Sequence, residues 1–339
     1  MTYDITLIPG DGIGPEVTTA ARRVLEATGL AFNWDVQRAG SSVMQEYGTP
    51  LPDRVLASVR THGVALKGPI TTPVGSGFRS VNVAIRRALD LFANFRPAKS
   101  IPGLPQAREN VDLVIFRENT EGLYVGIEHE VIADEAAEAV RIITRKGSER
   151  IVRYAFEYAQ ANGRRKVTVV HKGNILKVTD GLFLDAARAV AEEYQDITFD
   201  TGIVDATSMQ LVMHPEDFDV LVMPNLYGDI VSDLCSGLVG GLGVTPGANL
   251  GSELAVFEPV HGSAPDIAGL NRSNPCACIL TAALMLRHLG EVEAATHIET
   301  AVTEVLVDGQ VITADLKLPG DQRELVGTRA MTDAIIERL

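Results

Sequence analysis

Short apolar runs alternate along the chain with longer stretches of helical period. Residues 4–9, 64–67, 113–117, 166–171 and 220–223 read as buried strands. Residues 14–28, 81–91, 148–161, 181–193 and 275–289 read as helices, the first with Pro15 near its start and Gly29 after its end. This alternation predicts an α/β fold with helices against a largely parallel sheet. Residues 124–144 break the pattern and alternate like extended strands. They predict either an arm that pairs with another subunit or a hairpin at a sheet edge. The Pro-rich stretch 96–105 and the Gly-rich stretch 237–251 mark two crossings between lobes.

The chain has 339 residues and is 46% apolar, long enough that two lobes are the default. It contains no run of 18 apolar residues, so no membrane span is expected. The first eight residues read as a strand and not as a secretory signal. Three cysteines, Cys235, Cys276 and Cys278, form neither a disulfide framework nor a paired zinc motif. A reducing, cytoplasmic setting is therefore expected. The net charge of -14 argues against a nucleic-acid partner. It also means that any anionic substrate needs positive charge gathered locally.

Chemistry concentrates after the last apolar run, in Asn225-Leu-Tyr-Gly-Asp229-Ile-Val-Ser-Asp233. On a helix, Asp229 and Asp233 share one face, one turn apart. Paired carboxylates suit Mg²⁺ or Mn²⁺, hard cations that take oxygen ligands and keep some waters. The competing reading is two solvated carboxylates at a helix N-terminus, where negative charge is favourable anyway.

Other segments are weaker alone. Gly10-Asp-Gly-Ile-Gly-Pro-Glu16 follows the first strand, but Pro15 occupies the third glycine position of the dinucleotide fingerprint. A tight strand-to-helix turn is the better reading of that motif. Lys67 to Ser80 is a loop rich in Gly, Pro and hydroxyls, and Ser80 and Asn82 then open a helix containing Arg86. With Arg96 and Arg117, that makes three guanidinium groups at element mouths, a set suited to bidentate carboxylate binding. Lys172 follows a strand, where α/β sites collect, although taken alone a surface lysine in a loop is the better reading. The long loop 258–275 contains His261, by itself an ordinary structural hydrogen-bonder.

Taken together, these residues resemble the metal-dependent β-decarboxylating dehydrogenases, which include isocitrate, 3-isopropylmalate, homoisocitrate and tartrate dehydrogenases. The resemblance runs from the Gly10 turn to the C-terminus and is tightest over residues 225–244. It implies the isopropylmalate dehydrogenase-like α/β fold, two lobes around a large mixed sheet and not a Rossmann fold. Residues 1–98 with 250–339 would form a large cofactor-binding domain. Residues 99–249 would form a small domain with the dimer interface and a clasp arm at about 124–144. A homodimer with shared active sites is implied.

The resemblance also implies roles. Ser80, Asn82, Arg86, Arg96, Arg117 and Asn174 would bind substrate; Asp229, Asp233 and a partner-contributed Asp205 would bind Mg²⁺ or Mn²⁺. Lys172, also from the partner, would help remove the hydroxyl proton, and Tyr124 would act as general acid. Ile13, Thr72, Glu258, His261, Gly262, Ser263, Ala264 and Asn274 would contact the cofactor. NADP-dependent relatives carry Lys and Tyr where this chain has Asp266 and Ile267, so NAD is expected. Ser80 and Asn82 replace the apolar residues with which isopropylmalate enzymes cradle an isopropyl group, which favours isocitrate as substrate, to be decarboxylated to 2-oxoglutarate. Homoisocitrate, one methylene longer, stays open, as do 3-isopropylmalate and tartrate. A reading of another class is a non-catalytic regulatory subunit of a heteromeric dehydrogenase.

Overall fold

The computed structural model describes residues 2–73, 77–102, 104 and 106–339. Parts of two expectations, the loop at 74–76 and the crossing at 103 and 105, lie outside the described residues. The chain forms two compact units: residues 1–89, 100–109 and 236–339, and residues 90–99 and 110–235. The cuts differ from the expected domain limits at three places. Residues 90–98 group with the second unit, and residues 100–109 and 236–249 with the first.

The first unit begins with β1 (Thr2–Ile8), α1 (Gly14–Ala27), β2 (Ala31–Val36), α2 (Met44–Tyr47), α3 (Asp53–His62), β3 (Val64–Lys67) and α4 (Val81–Ala88). The second holds β4 (Ala93–Lys99), β5 (Asp112–Glu118), β6 (Gly122–Ile132), β7 (Ala136–Ile142), α5 (Arg145–Ala161) and β8 (Lys166–His171). It continues with α6 (Thr179–Ala191), β9 (Thr198–Ile203), α7 (Val204–Met213), β10 (Val220–Met223) and most of α8 (Asn225–Leu238). The first unit then closes with β11 (Ala248–Leu250), β12 (Ala255–Phe257), α9 (Cys276–His288), α10 (Val292–Asp308) and α11 (Thr328–Ile336).

Each unit contributes five strands of mixed sheet, as the α/β expectation requires. In the first unit β2, β1, β3 and β12 run parallel and β11 is antiparallel to β12. In the second, β4 is antiparallel to β5, and β5, β10, β8 and β9 run parallel. The central strand β10 shows why an apolar run becomes a strand here. Val220, Leu221, Val222 and Met223 are all 0% exposed. Burying each contributes about 1.5–3 kcal/mol.

The Pro-rich stretch 96–105 holds a change of unit, between Lys99 and Ser100, whereas the Gly-rich stretch 237–251 lies wholly within the first unit. Arg96 and Pro97 lie within β4, with Pro97 opposite Val114 of β5. Residues 124–144 form a hairpin of β6 and β7, a two-stranded sheet separate from the main one. Residues 128–140 are exposed on both faces. Glu121 closes its base by accepting from the Thr144 amide at 2.9 Å and from the Thr144 hydroxyl. Thr144 in turn caps α5, accepting from Gly147 N at 3.0 Å.

Candidate active site

Strand alternation sends neighbouring side chains to opposite faces. Phe95 and Phe116 are cross-strand partners on β4 and β5, with ring centroids 5.4 Å apart, and both pack on Tyr158 of α5 at 5.2 Å. The next residues, Arg96 and Arg117, therefore face the other way, toward α8. Their side chains are only 8% and 1% exposed. Arg96 donates to Ser232 Oγ at 2.6 Å, to Asp233 Oδ1 at 2.8 Å and to Asp229 Oδ1 at 3.5 Å. Arg117 donates through Nε to Asn225 Oδ1 at 2.9 Å and through its terminal nitrogen to Asp229 Oδ1. Tyr124 donates its hydroxyl proton to Asp229 Oδ2. The close approach of α8 to β5 requires Gly228, because a Cβ there would lie 2.5 Å from Arg117 Cβ.

Asp229 and Asp233 do sit one turn apart on α8. Asp229 is the fifth residue of the helix, beyond the first turn, so the helix-dipole explanation for its charge is weak. Burial raises the Asp233 carboxyl above its usual range, aided by Asp229 and opposed by Arg96 and Arg117. Two partly exposed hard-oxygen donors sharing one face fit a small divalent cation. Asp205, the expected third carboxylate, is elsewhere within this chain, where Lys172 donates its Nζ proton to it. That bond holds the Asp205 carboxyl low. Among the described residues, no three His, Cys, Asp or Glu side chains converge on a metal position. Asn174 lies exposed in the loop after Lys172.

Lys172 is fixed through its main chain. Its N–H donates to Asp180 Oδ2 at 2.6 Å, and its carbonyl accepts from Ile175 and Leu176 at 3.0 and 2.9 Å. Asp180 is 0% exposed, forms an ion pair with Arg141 of β7, and accepts from Tyr227 at 3.3 Å. Burial pushes the Tyr227 phenol up to about 12, so it is a neutral donor. The expected site residues included none of Asp180, Arg141 and Tyr227. The sequence carries no signal for contacts 39 and 47 residues apart.

In the first unit, Ser80 caps α4 and accepts from Thr72 at 3.2 Å. The Asn82 amide oxygen and Arg86 Nε are buried without partners among the described residues. Arg86 donates to Glu258 Oε1 at 2.8 Å, Asn249 donates to the same oxygen at 2.8 Å, and Lys67, 1% exposed, donates to Oε2. Burial opposes the Glu258 charge, but Lys67 and Arg86 overcome it and hold the carboxyl far below its usual range. Glu258, expected at the cofactor, is thus committed to this cationic pair.

The expected cofactor loop packs on the Gly10 turn. Ile13 N donates to Ser263 O at 2.8 Å, and a Cβ on Gly12 would lie 1.9 Å from that oxygen. Asp11 ties the turn down, accepting from Ser41 N, Ser41 Oγ and Thr71 N, each at 3.0 Å. Ala264 adopts a left-handed φ of 36° between Gly262 and the exposed Asp266, with Ile267 half-buried beside it. His261 donates from Nδ1 to Gly262 O at 3.0 Å, and its Nε2 is buried without a partner among the described residues. Burial lowers its pKa, so the ring is neutral near pH 7. Asn274 accepts from Cys276 N at 2.9 Å and donates to Asp315 at 2.9 Å; Asp315 was not foreseen. An exposed carboxylate for ribose hydroxyls and an unpaired buried ring nitrogen fit a dinucleotide. A separate groove of about 430 Å³ between α1 and α11, lined by Glu16, Arg23 and Arg329, contains none of the expected site residues.

An α/β fold with a carboxylate pair among buried arginines, a lysine beside a strand end and a tyrosine on a carboxylate has the parts of a hydroxy-acid oxidoreductase. Comparison with known proteins settles the class. Residues 4–335 match the isocitrate/isopropylmalate dehydrogenase family, and the chain belongs to that family of oxidoreductases. It is similar to an isocitrate dehydrogenase from Methylococcus capsulatus, at 57% identity with TM-score 0.95 over 99% of both chains. It is 48% identical to NAD isocitrate dehydrogenase catalytic subunit 5 of Arabidopsis thaliana, over 92% of this chain and 83% of that one. It is also 48% identical to a regulatory polypeptide of the Dictyostelium discoideum NAD isocitrate dehydrogenase, over 92% and 86%. The last two are mitochondrial proteins, which overturns the cytoplasmic expectation. That expectation rested on unpaired cysteines, and a mitochondrial interior need not pair them either. No described helix is long and apolar enough to cross a membrane.

Proposed function

We propose that the protein oxidises isocitrate with NAD⁺ and releases CO₂ to give 2-oxoglutarate, with Mg²⁺ or Mn²⁺ required. The observation that carries this reading is the polar face of α4: Ser80, the buried Asn82 amide and the half-engaged Arg86 guanidinium. That face suits a third substrate carboxylate and would leave an isopropyl group against unpaired polar atoms. Arg96 and Arg117 hold the other carboxylates, with help from Asn174. Asp229 and Asp233 hold the divalent cation, with Asp205 contributed by the other subunit of a homodimer. When bound, that cation supplies Lewis-acid stabilisation of negative charge on a substrate oxygen. NAD⁺, held against Ile13, Thr72, the 261–267 loop and Asn274, supplies the hydride acceptor.

The chain's own residues move the protons. Lys172, contributed like its neighbour Asp205 by the other subunit, takes the proton of the substrate hydroxyl as its carbon is oxidised. Loss of CO₂ leaves an enolate, and Tyr124 returns a proton to the carbon that lost it. The homodimer is supported by apolar surface in the second unit. Ile175, Val178, Met209, Met213 and Ile230 are 54–85% exposed, and the β6–β7 hairpin buries neither face over residues 127–140.

The relative from D. discoideum makes a regulatory role the second reading. Against it, this chain keeps Tyr124, Lys172, Asp205, Asp229 and Asp233. The test is NADH formation by the purified chain with isocitrate, homoisocitrate, 3-isopropylmalate or tartrate, with NADP⁺ and EDTA controls. Isocitrate is expected to lead by about a hundredfold in kcat/KM. Parity with homoisocitrate removes the assignment of Ser80 and Asn82. No turnover by the chain alone favours the regulatory reading, and indifference to EDTA removes the metal.

A further inference from the structure

We infer that Asp180 is a positioning residue for Lys172, an inference that rests on the proton-transfer role proposed for that lysine. Asp180 is the second residue of α6, and the segment from Lys172 to Asp180 forms a closed loop. The Lys172 carbonyl is held by Ile175 N and Leu176 N, the Asp180 N–H by the Leu176 carbonyl at 3.0 Å, and the Lys172 N–H by the Asp180 side chain. His171 Nδ1 accepts from Gly173 N at 2.9 Å and fixes the next peptide. Both main-chain groups of Lys172 are therefore occupied, so its side chain, which is bonded to Asp205, projects from a fixed base.

The carboxylate that closes this loop is itself held from two other elements. Arg141, on the hairpin arm, forms an ion pair with Oδ1 and donates to Thr179 Oγ1 at 3.2 Å. Tyr227, two residues before Asp229 on α8, donates to Oδ2, and its ring lies 5.0 Å from the Arg141 guanidinium. A fully buried carboxylate is costly, and apolar replacement of a buried ion pair is often neutral or stabilising. Stability alone is thus a poor reason for Asp180. A short, charge-assisted bond to the peptide of the proposed proton-transfer residue is a better one. The arm, by holding Asp180, shares in setting the position of Lys172.

The test compares kcat and the isocitrate KM of wild type with four variants: Lys172→Met, Asp180→Ala, Asp180→Asn and the double variant Arg141→Met/Asp180→Ala. Asp180→Asn keeps a carbonyl oxygen for the Lys172 N–H. The double variant leaves no charge buried unpaired, so it stays informative if Asp180→Ala fails to fold. Asp180→Ala and the double variant are expected to lose at least tenfold in kcat with KM within threefold, and Asp180→Asn to recover most of that loss. A folded double variant with wild-type kcat overturns the inference. So does a loss that appears in KM alone. Lys172→Met with undiminished kcat removes the proposed role of Lys172, and wild type without turnover removes the function, so these failures are distinguishable from that of Asp180.

Discussion

Tyr124 and Arg117 share one carboxylate: the phenol donates to Asp229 Oδ2 and the guanidinium to Asp229 Oδ1. The proposed proton donor is thus hydrogen-bonded to a proposed metal ligand. A cation bound at Asp229 would compete with both donors for the same oxygens. Tyr124→Phe is expected to lower kcat by at least about a hundredfold. Mn²⁺ affinity, measured by calorimetry, should be unchanged or tighter. Undiminished kcat would exclude Tyr124 as the acid, and weaker Mn²⁺ binding would exclude the competition.

Asp233 has its carboxyl raised by burial. A metal ligand must be deprotonated to bind, so Mn²⁺ affinity should fall as the pH drops toward that raised value. In Asp233→Asn the affinity should be low, and its fall with acid should be shallower. Parallel pH profiles for wild type and variant would show that Asp233 does not set the dependence.

Asp266 and Ile267 govern the cofactor prediction. Asp266→Lys with Ile267→Tyr should shift the NAD⁺ to NADP⁺ ratio of kcat/KM toward NADP⁺ by at least tenfold, through loss of a ribose acceptor and of a charge that repels phosphate. An unchanged ratio would remove the ribose contact.

Histidines set an acid dependence of stability. Burial lowers His171, His261 and His288 below the ordinary value of 6.5. The unfolded chain therefore binds more protons than the folded one once the pH falls below about 6.5. Stability should be flat above that value and fall below it, until the folded-state histidines protonate as well. The burial-raised carboxyls of Glu118 and Asp233 act in the opposite sense as they protonate. Urea midpoints at pH 8, 6.5 and 5.5 check this, and a midpoint that rises from pH 6.5 to 5.5 contradicts it.

Gly228→Ala places a Cβ against Cβ and Cγ of Arg117. It should cost about 1–3 kcal/mol by overpacking and raise the isocitrate KM as Arg117 is displaced. Wild-type stability and KM together would show that α8 yields without cost.

What the sequence discloses depends on how local the cause is. The run at 220–223 and the helix from Asn225 are local patterns, and both were legible. By contrast, β2 alternates Phe32, Trp34 and Val36 with Asn33 and Asp35 over only six residues at a half-exposed edge, and α7 exposes Met209, Val212 and Met213 and so blurs its helical period; neither was read from the sequence. Pro97 hid β4, because proline reads as punctuation even where an antiparallel neighbour tolerates it. In the candidate site, residue types and rough placement were legible from motif and resemblance. The carboxylates that organise it, Asp11, Asp180 and Asp315, were not. Their partners lie 30–60, 8–47 and 41 residues away for the contacts that matter here, and no local pattern records them.

The base of the hairpin arm has a mechanical consequence. Glu121 joins the two feet of the ribbon, and six register pairs from Gly122↔Ile142 to Ile132↔Ala136 join its legs. The exposed tip, where Asp134 adopts φ 57°, is the one place where the legs are joined by chain alone. A protease that cuts there separates nothing: the two pieces remain laced by the ladder and clamped at the root. The nicked ribbon would keep its grip, and the break would show only when the protein is denatured.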